Sequence, residues 1–268
     1  MRRSASVLVA AVVFLGMLGA VAVAETLIGT EGADQLYGTP RPDQIYGEGG
    51  NDRLVGNGSN DYLEAGTGDD EVDAGDGVDL VIGGTGNDRI DAGPDNDVVY
   101  AGAGTDLVLG GSGADTLFGQ SEADRLFGGS GADRIYASLG GDFVDAGSGS
   151  DRISSDEGDV TIRAGAGHDV VTADGGRIEV HGGRGRDRIR TGSSADRVTG
   201  GPDADSIDTG AGNDVIRARD GVRDRVRCGA GVDEVETDPD DLLSGCESVA
   251  RPARSHKRSA RPSARGFR

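Results

Sequence analysis

One nine-residue phrase constrains this chain more than anything else in it. It is cleanest at Gly83-Gly84-Thr85-Gly86-Asn87-Asp88-Arg89-Ile90-Asp91, and Gly110 to Phe118 and Gly128 to Tyr136 repeat it: G-G-x-G-x-D-x-U-x, with U a large aliphatic. Counted from Gly29 in steps of nine, 21 units follow in phase to Arg217 without an insertion or deletion. Ala218 then shifts the frame by one residue, and two more units begin at Arg219 and Cys228. Ahead of the array, Leu27 takes the U position of an incomplete unit. The eighth position is aliphatic in all 23 units, the sixth is Asp in 21 and the fourth is Gly in 16. A period that strict marks a solenoid.

Each position has a physical reason. The glycines supply turn conformations that other residues resist. The three residues x-U-x make a short strand with U on one face and its neighbours on the other. One such strand cannot bury its aliphatic, whereas two units wound into an 18-residue coil set two U side chains against each other. Coils then stack as parallel strands about 4.8 Å apart. The expected fold is all-β, a right-handed parallel β-roll or β-helix solenoid of ten to eleven coils, about 50 Å long at that spacing.

Composition alone reads as disorder: 49 Gly, five Phe, five Tyr, no Trp and a formal net charge of −20. Periodicity overrides that reading. The nine basic groups of the leader and tail mask the acidity of the rest, which is −29 over residues 25–250. A body that acidic repels nucleic acid and anionic lipid and attracts cations.

The repeats resemble the RTX, or hemolysin-type, calcium-binding repeats over residues 27–236. The resemblance implies calcium as the cofactor, held between stacked turns by the sixth-position carboxylates and turn carbonyls, the hard oxygen ligands that calcium requires. Units alternate between the two sides of the roll, so the implied metal ligands fall into two rows. One holds Asp43, Asp61, Asp79, Asp97, Asp115, Asp133, Asp151, Asp169, Asp187 and Asp205. The other holds Asp34, Asp52, Asp70, Asp88, Asp106, Asp124 and Asp142, meets Val160 and Ile178, and resumes at Asp196 and Asp214. A plain turn-forming role for these residues is the competing reading, but Asn and Ser never take the sixth position. Val160-Thr161-Ile162 and Ile178-Glu179-Val180 alternate with period two, so the interrupted turns are expected to close by apolar packing. Units lacking the fourth Gly, those with Arg41, Ser59, Asp95, Glu122, Ser194, Asp203 or Val222, are expected to flank weaker sites.

The remaining segments divide the chain into four parts. Residues 1–24 read as a secretory signal peptide, with Arg2 and Arg3 basic, Val7 to Val21 apolar and Ala22-Val23-Ala24 an A-x-A cleavage site. An uncleaved anchor is the alternative. RTX proteins exported by type I machinery usually lack such a leader, so the leader argues against that route for this chain. Residues 25–236 form the roll. Residues 237–250 form a cap, tied by a disulfide between Cys228 and Cys246, the only cysteines, which is the simplest pairing in an exported chain. The cap resembles that of secreted actinobacterial members and is expected to pin Leu242, Leu243 and Val249 over the open end. Residues 251–268 are a basic, Arg-, Pro- and Ser-rich tail expected to be disordered.

No catalytic constellation appears: His168, His181 and His256 are scattered, and there is no H-E-x-x-H, nucleophile elbow or phosphate loop in a strand–helix context. The sequence therefore reads as a secreted calcium-binding protein with a structural or surface role, folding when calcium binds, and not as an enzyme. The alternative is an adhesin or a glycan- or protein-binding module using an outward strip of Ile82, Tyr100, Phe118 and Tyr136, which also reads as a simple stabilising ladder. The outward arginines are expected to pair with acids on adjacent coils.

Overall fold

The computed structural model describes residues 24–250. The proposed leader and tail lie outside the described residues, apart from Ala24. The described chain contains no helix and winds into two parallel 13-stranded sheets. Strands alternate strictly between them. The first sheet runs from Thr26–Ile28 through Gln44–Tyr46 to Leu242–Ser244, and the second from Gln35–Tyr37 through Arg53–Gly58 to Ser248–Ala250.

Register follows the repeat. Leu27 pairs with Ile45 and Ile45 with Leu63 in the first sheet, and Leu36 with Leu54 in the second, each an 18-residue step. Every U side chain of the 23 units is buried, and the small first-position residues, such as Ala65, Ala74, Ala101 and Ala146, form a second inner column beside them. Ala218 is absorbed without breaking either sheet. The step across it lengthens to 19, Ile207 to Val226 and Ile216 to Val235, and Ala218 itself is buried.

The turns need left-handed backbone at the second and fourth positions, as at Gly84 (φ 114°) and Gly86 (φ 127°). Ser59, Asp95, Glu122 and Asp203 replace the fourth glycine yet keep positive φ, so those turns hold their shape at a local strain cost.

The solenoid is longer than the expected ten to eleven coils. Thirteen strands per sheet make about twelve coil steps, or roughly 58 Å at the strand spacing. Two features add length. The incomplete unit at Leu27 forms a strand of its own, and the cap continues both ladders instead of folding across the end. Leu243 pairs with Val226 and Val249 with Val235, at steps of 17 and 14 residues. Leu243 is only partly buried, and Leu242 and Val249 are exposed. The Cys228–Cys246 disulfide, with Cα atoms 5.2 Å apart, ties these last coils together.

On the outer face of the first sheet the expected strip is in register: Ile82, Tyr100, Phe118 and Tyr136 lie on consecutive strands. Tyr100 and Phe118 stack with centroids 4.6 Å apart, and Phe118 and Tyr136 with centroids 4.7 Å apart, both nearly parallel. Phe118 therefore has both faces covered by neighbouring rings, and Tyr100 and Tyr136 have one each. The expectation that outward arginines pair with acids on adjacent coils is met on the second sheet, where Arg53 meets Glu71 at 2.5 Å and Arg217 meets Glu236 at 4.0 Å. It fails over much of the first sheet, where Arg134 lies directly beside Arg152.

Candidate metal rows

The sixth-position aspartates line the two turn rows as the repeat requires. Each sits just before a strand, and its carbonyl accepts the N–H of the first strand residue one coil later, as Asp34 does from Arg53 and Asp43 from Tyr62. Its side chain turns inward. Where the next coil also carries a row Asp, the N–H of one donates to Oδ1 of the next: Asp97 to Asp115 at 2.9 Å, Asp115 to Asp133 at 2.9 Å and Asp124 to Asp142 at 2.9 Å. The carboxylates thus form two buried ladders, continuous in the first row and interrupted once in the second, one step of about 4.8 Å per coil.

Sequence reasoning stopped the rows at Asp205 and Asp214, but the structure carries them further. Asp205 donates to Asp224, Asp224 to Asp241, and Asp214 to Asp233. Asp224 and Asp233 are sixth-position residues after the frame shift and were open to detection. Asp241 follows a step of 17 residues, so no nine-residue count could reach it.

The second carboxylate oxygen is what makes the rows a candidate site. Oδ2 is buried and has no hydrogen-bond partner at Asp52, Asp61, Asp70, Asp79, Asp88, Asp97, Asp106, Asp115, Asp124, Asp133, Asp142, Asp151, Asp169, Asp187, Asp196, Asp205, Asp214, Asp224 and Asp233. Three of the four end members differ, Asp233 being the exception. Thr30 donates both its N–H (2.6 Å) and its hydroxyl (2.8 Å) to Asp34 Oδ2, and Thr39 does the same for Asp43 at 2.6 and 3.0 Å. At the other end the Asp238 N–H donates to Asp241 Oδ2 at 2.6 Å. The protein thus satisfies Asp34, Asp43 and Asp241 itself and leaves every interior member short of a partner. None of the ion pairs among the described residues involves a row carboxylate.

An unpaired buried carboxylate oxygen is costly unless it gains a proton or a cation. Burial is the leading cause that pushes these groups up, opposed by the inter-coil N–H bond and, at most of them, reinforced by nearby carboxylates. Asp79, Asp115, Asp142, Asp187 and Asp214 rise to about 6. Asp61, Asp88, Asp97, Asp151, Asp205 and Asp224 rise to about 7. Asp124 reaches about 8, with Glu122 and its row neighbours adding to the effect of burial.

These residues fit a hard divalent cation. Among the described residues no three His, Cys, Asp or Glu side chains converge, so an ion in a row would need main-chain carbonyls beside the carboxylates of the stacked coils. Such carbonyls are at hand. A β-carbon built on Gly128 would stand 2.5 Å from Asp133 Oδ2 and 2.6 Å from the Ala146 carbonyl oxygen, so two oxygens already face one small space.

The second row breaks where its sequence does. Val160 and Ile178 occupy the inward sites and are buried, in the seven-residue strands Val160–Ala166 and Ile178–Arg184, the longest among those described. Asp156 and Asp174 are exposed. The Ile178 N–H donates to Asp196 Oδ1 at 3.0 Å, so the ladder resumes directly after the gap.

Fold and rows together define a parallel β-solenoid whose turns carry ladders of buried carboxylates suited to a hard cation. The RTX calcium-binding nonapeptide repeat model matches residues 24–177 in overlapping windows and residues 181–221. The chain belongs to that family, and its repeats are calcium-binding repeats. No curated protein matches it. Among solved structures, a hyperactive, Ca2+-dependent, β-helical antifreeze protein from an Antarctic bacterium is similar at 21% identity over 83% of this chain and 81% of that one, with a TM-score of 0.48.

Proposed function

We propose that this protein is an exported, non-catalytic calcium-responsive rod, loosely ordered without calcium and rigid with it, with a structural role at the cell surface or in an extracellular matrix. The observation that carries the reading is the set of 19 buried Oδ2 atoms without a partner, which a divalent cation would satisfy. One aliphatic per nine residues is a thin core for so Gly-rich a chain, whose ordering entropy is high. Metal binding therefore does much of the folding. Export is supported by the disulfide, which persists in oxidising compartments, and by the leader-like residues 1–24, cleaved after Ala24. The disulfide-linked cap likewise supports the likeness to secreted actinobacterial members.

Absence of catalysis is part of the proposal. The carboxylates with raised pKa lie almost entirely in the two rows and face inward, away from any substrate. The outer strip of Tyr100, Phe118 and Tyr136 supports a stabilising ladder over an adhesin surface, because its rings spend most of their faces on one another.

Isothermal calorimetry of the full chain with calcium tests the reading. Many ions per chain are expected, with fewer after Asp→Asn changes inside a row. Binding of one or two ions, indifferent to such changes, would contradict it.

A further inference from the structure

The two outer faces of the solenoid have the same strand geometry and opposite charge logic. On the second sheet, arginines meet acids or aromatic rings: Arg53 with Glu71, Arg217 with Glu236, and Arg125 and Arg163 over Phe127 and Phe143. On the first sheet, the outward positions from Arg134 to Arg227 hold six exposed arginines, Arg134, Arg152, Arg188, Arg190, Arg225 and Arg227, against one acid, Asp208. Asp208 pairs with Arg227 at 3.6 Å. Among the described residues the other five have no ion pair, and the segments outside them contain no Asp or Glu. Arg134 and Arg152 sit directly opposite each other across the ladder. Like charges so placed are destabilising, so this face holds unspent positive charge on a chain of net charge −20.

We infer that this arginine array is a docking track for a linear acidic polysaccharide. Guanidinium forks take carboxylate and sulfate groups in paired hydrogen bonds. Six strands, from Arg134–Tyr136 to Arg225–Arg227, span about 24 Å, and the two outward columns lie about 7 Å apart, a track one polymer chain wide. Beyond about 10 Å salt screens the acidic body, so the local face decides what binds. Exposed Asp156, Glu157 and Asp174 edge the track on one side and repel anything wider than a single chain, such as a duplex. Single-stranded nucleic acid gains much of its binding from bases stacked on free ring faces. The one aromatic bordering the track, Tyr136, spends one face on Phe118, so the track offers a single ring face where a strand of bases would need a series.

The test uses the full chain in millimolar calcium and a labelled heparin-derived decasaccharide, followed by fluorescence anisotropy. Neutral dextran and oligothymidylate serve as comparators. Two variants each remove three positive charges and keep the basic tail: Arg134→Gln with Arg152→Gln and Arg188→Gln on the track, and Arg163→Gln with Arg197→Gln and Arg217→Gln on the opposite face. The decasaccharide is expected to bind, and only the track variant to lose affinity, by about tenfold or more. Equal losses in both variants, no binding to wild type, or oligothymidylate binding as tightly would overturn the inference. Phenylglyoxal modification of wild type needs no variant: bound decasaccharide is expected to shield Arg134, Arg152 and Arg188 and not Arg163, Arg197 or Arg217, and uniform shielding would also overturn it.

Discussion

Asp115 shows what a single residue contributes. It is fully buried, its Oδ1 accepts the N–H of Asp97, and its Oδ2 has no partner. Asp115→Asn keeps the shape and removes a buried charge. Without calcium the rod should be no less stable, gaining about 1–3 kcal/mol if the orphan charge is the dominant cost. With calcium, fewer ions should bind and the midpoint should rise. Urea unfolding in EDTA and in calcium reads both signs, and a loss of stability in EDTA would contradict the orphan-charge account. The pH dependence follows from the same groups. Their folded pKa values, about 6 to 8, lie above the ordinary carboxylate range, so the metal-free fold holds more protons than the unfolded chain. Its stability is therefore fully present in acid and is lost as pH rises through about 6 to 8. In EDTA, strand content by circular dichroism should increase from pH 8 to pH 5. In calcium the trend reverses, because protons and ions compete for the same oxygens, and the calcium midpoint should rise as pH falls. These candidate ligands were legible in the sequence because Asp recurs at one position where Asn and Ser do not. The roles of Thr30 and Thr39 were not, since a threonine in a turn reveals its partner only once the coil has closed.

At the level of the element, the gap in the second row separates coils with a buried carboxylate on that side from coils closed there by apolar packing. Strands Val160–Ala166 and Ile178–Arg184 bring two inward aliphatics each to the U and adjoining sites, and no carboxylate is buried at those two turns. They should be the last part of the rod to open in EDTA, with the slowest amide exchange along the solenoid. Val160→Asp would extend the row beside Asp142: calorimetry should then show an added ion, and the metal-free rod should weaken. The period-two alternation made this gap readable in advance. The cap was less readable, because its steps of 17 and 14 residues break the nine-residue count that located every other strand. Its disulfide closes an 18-residue separation, worth about 3 kcal/mol in the chain-entropy picture. Reduction should fray the strands from Arg225–Arg227 onward and leave the coils around Val99 intact, which residue-resolved hydrogen exchange would show. The uneven outer faces were also present in the sequence, but arginines spaced through the chain become one array only when acids are counted on the same face.

For the whole molecule, the fold was legible because one period sets strand, turn and inward residue together. Phase carried the rest: a constant 18-residue coil assigns each aspartate to one of two rows and each outward residue to one of two sheets. The length was underestimated because Leu27 and the cap add strands that lack a complete unit. What unites the scales is that a thin aliphatic core shares its coils with rows of buried carboxylates, which is why we propose that calcium sets the rod's order. The most direct measurement is far-ultraviolet circular dichroism of the full chain, disulfide intact, at pH 7.5 in EDTA and then across a calcium titration. The account predicts a weakly ordered spectrum in EDTA and a cooperative rise in β signal as calcium is added. The same strand content in EDTA as in millimolar calcium would contradict it.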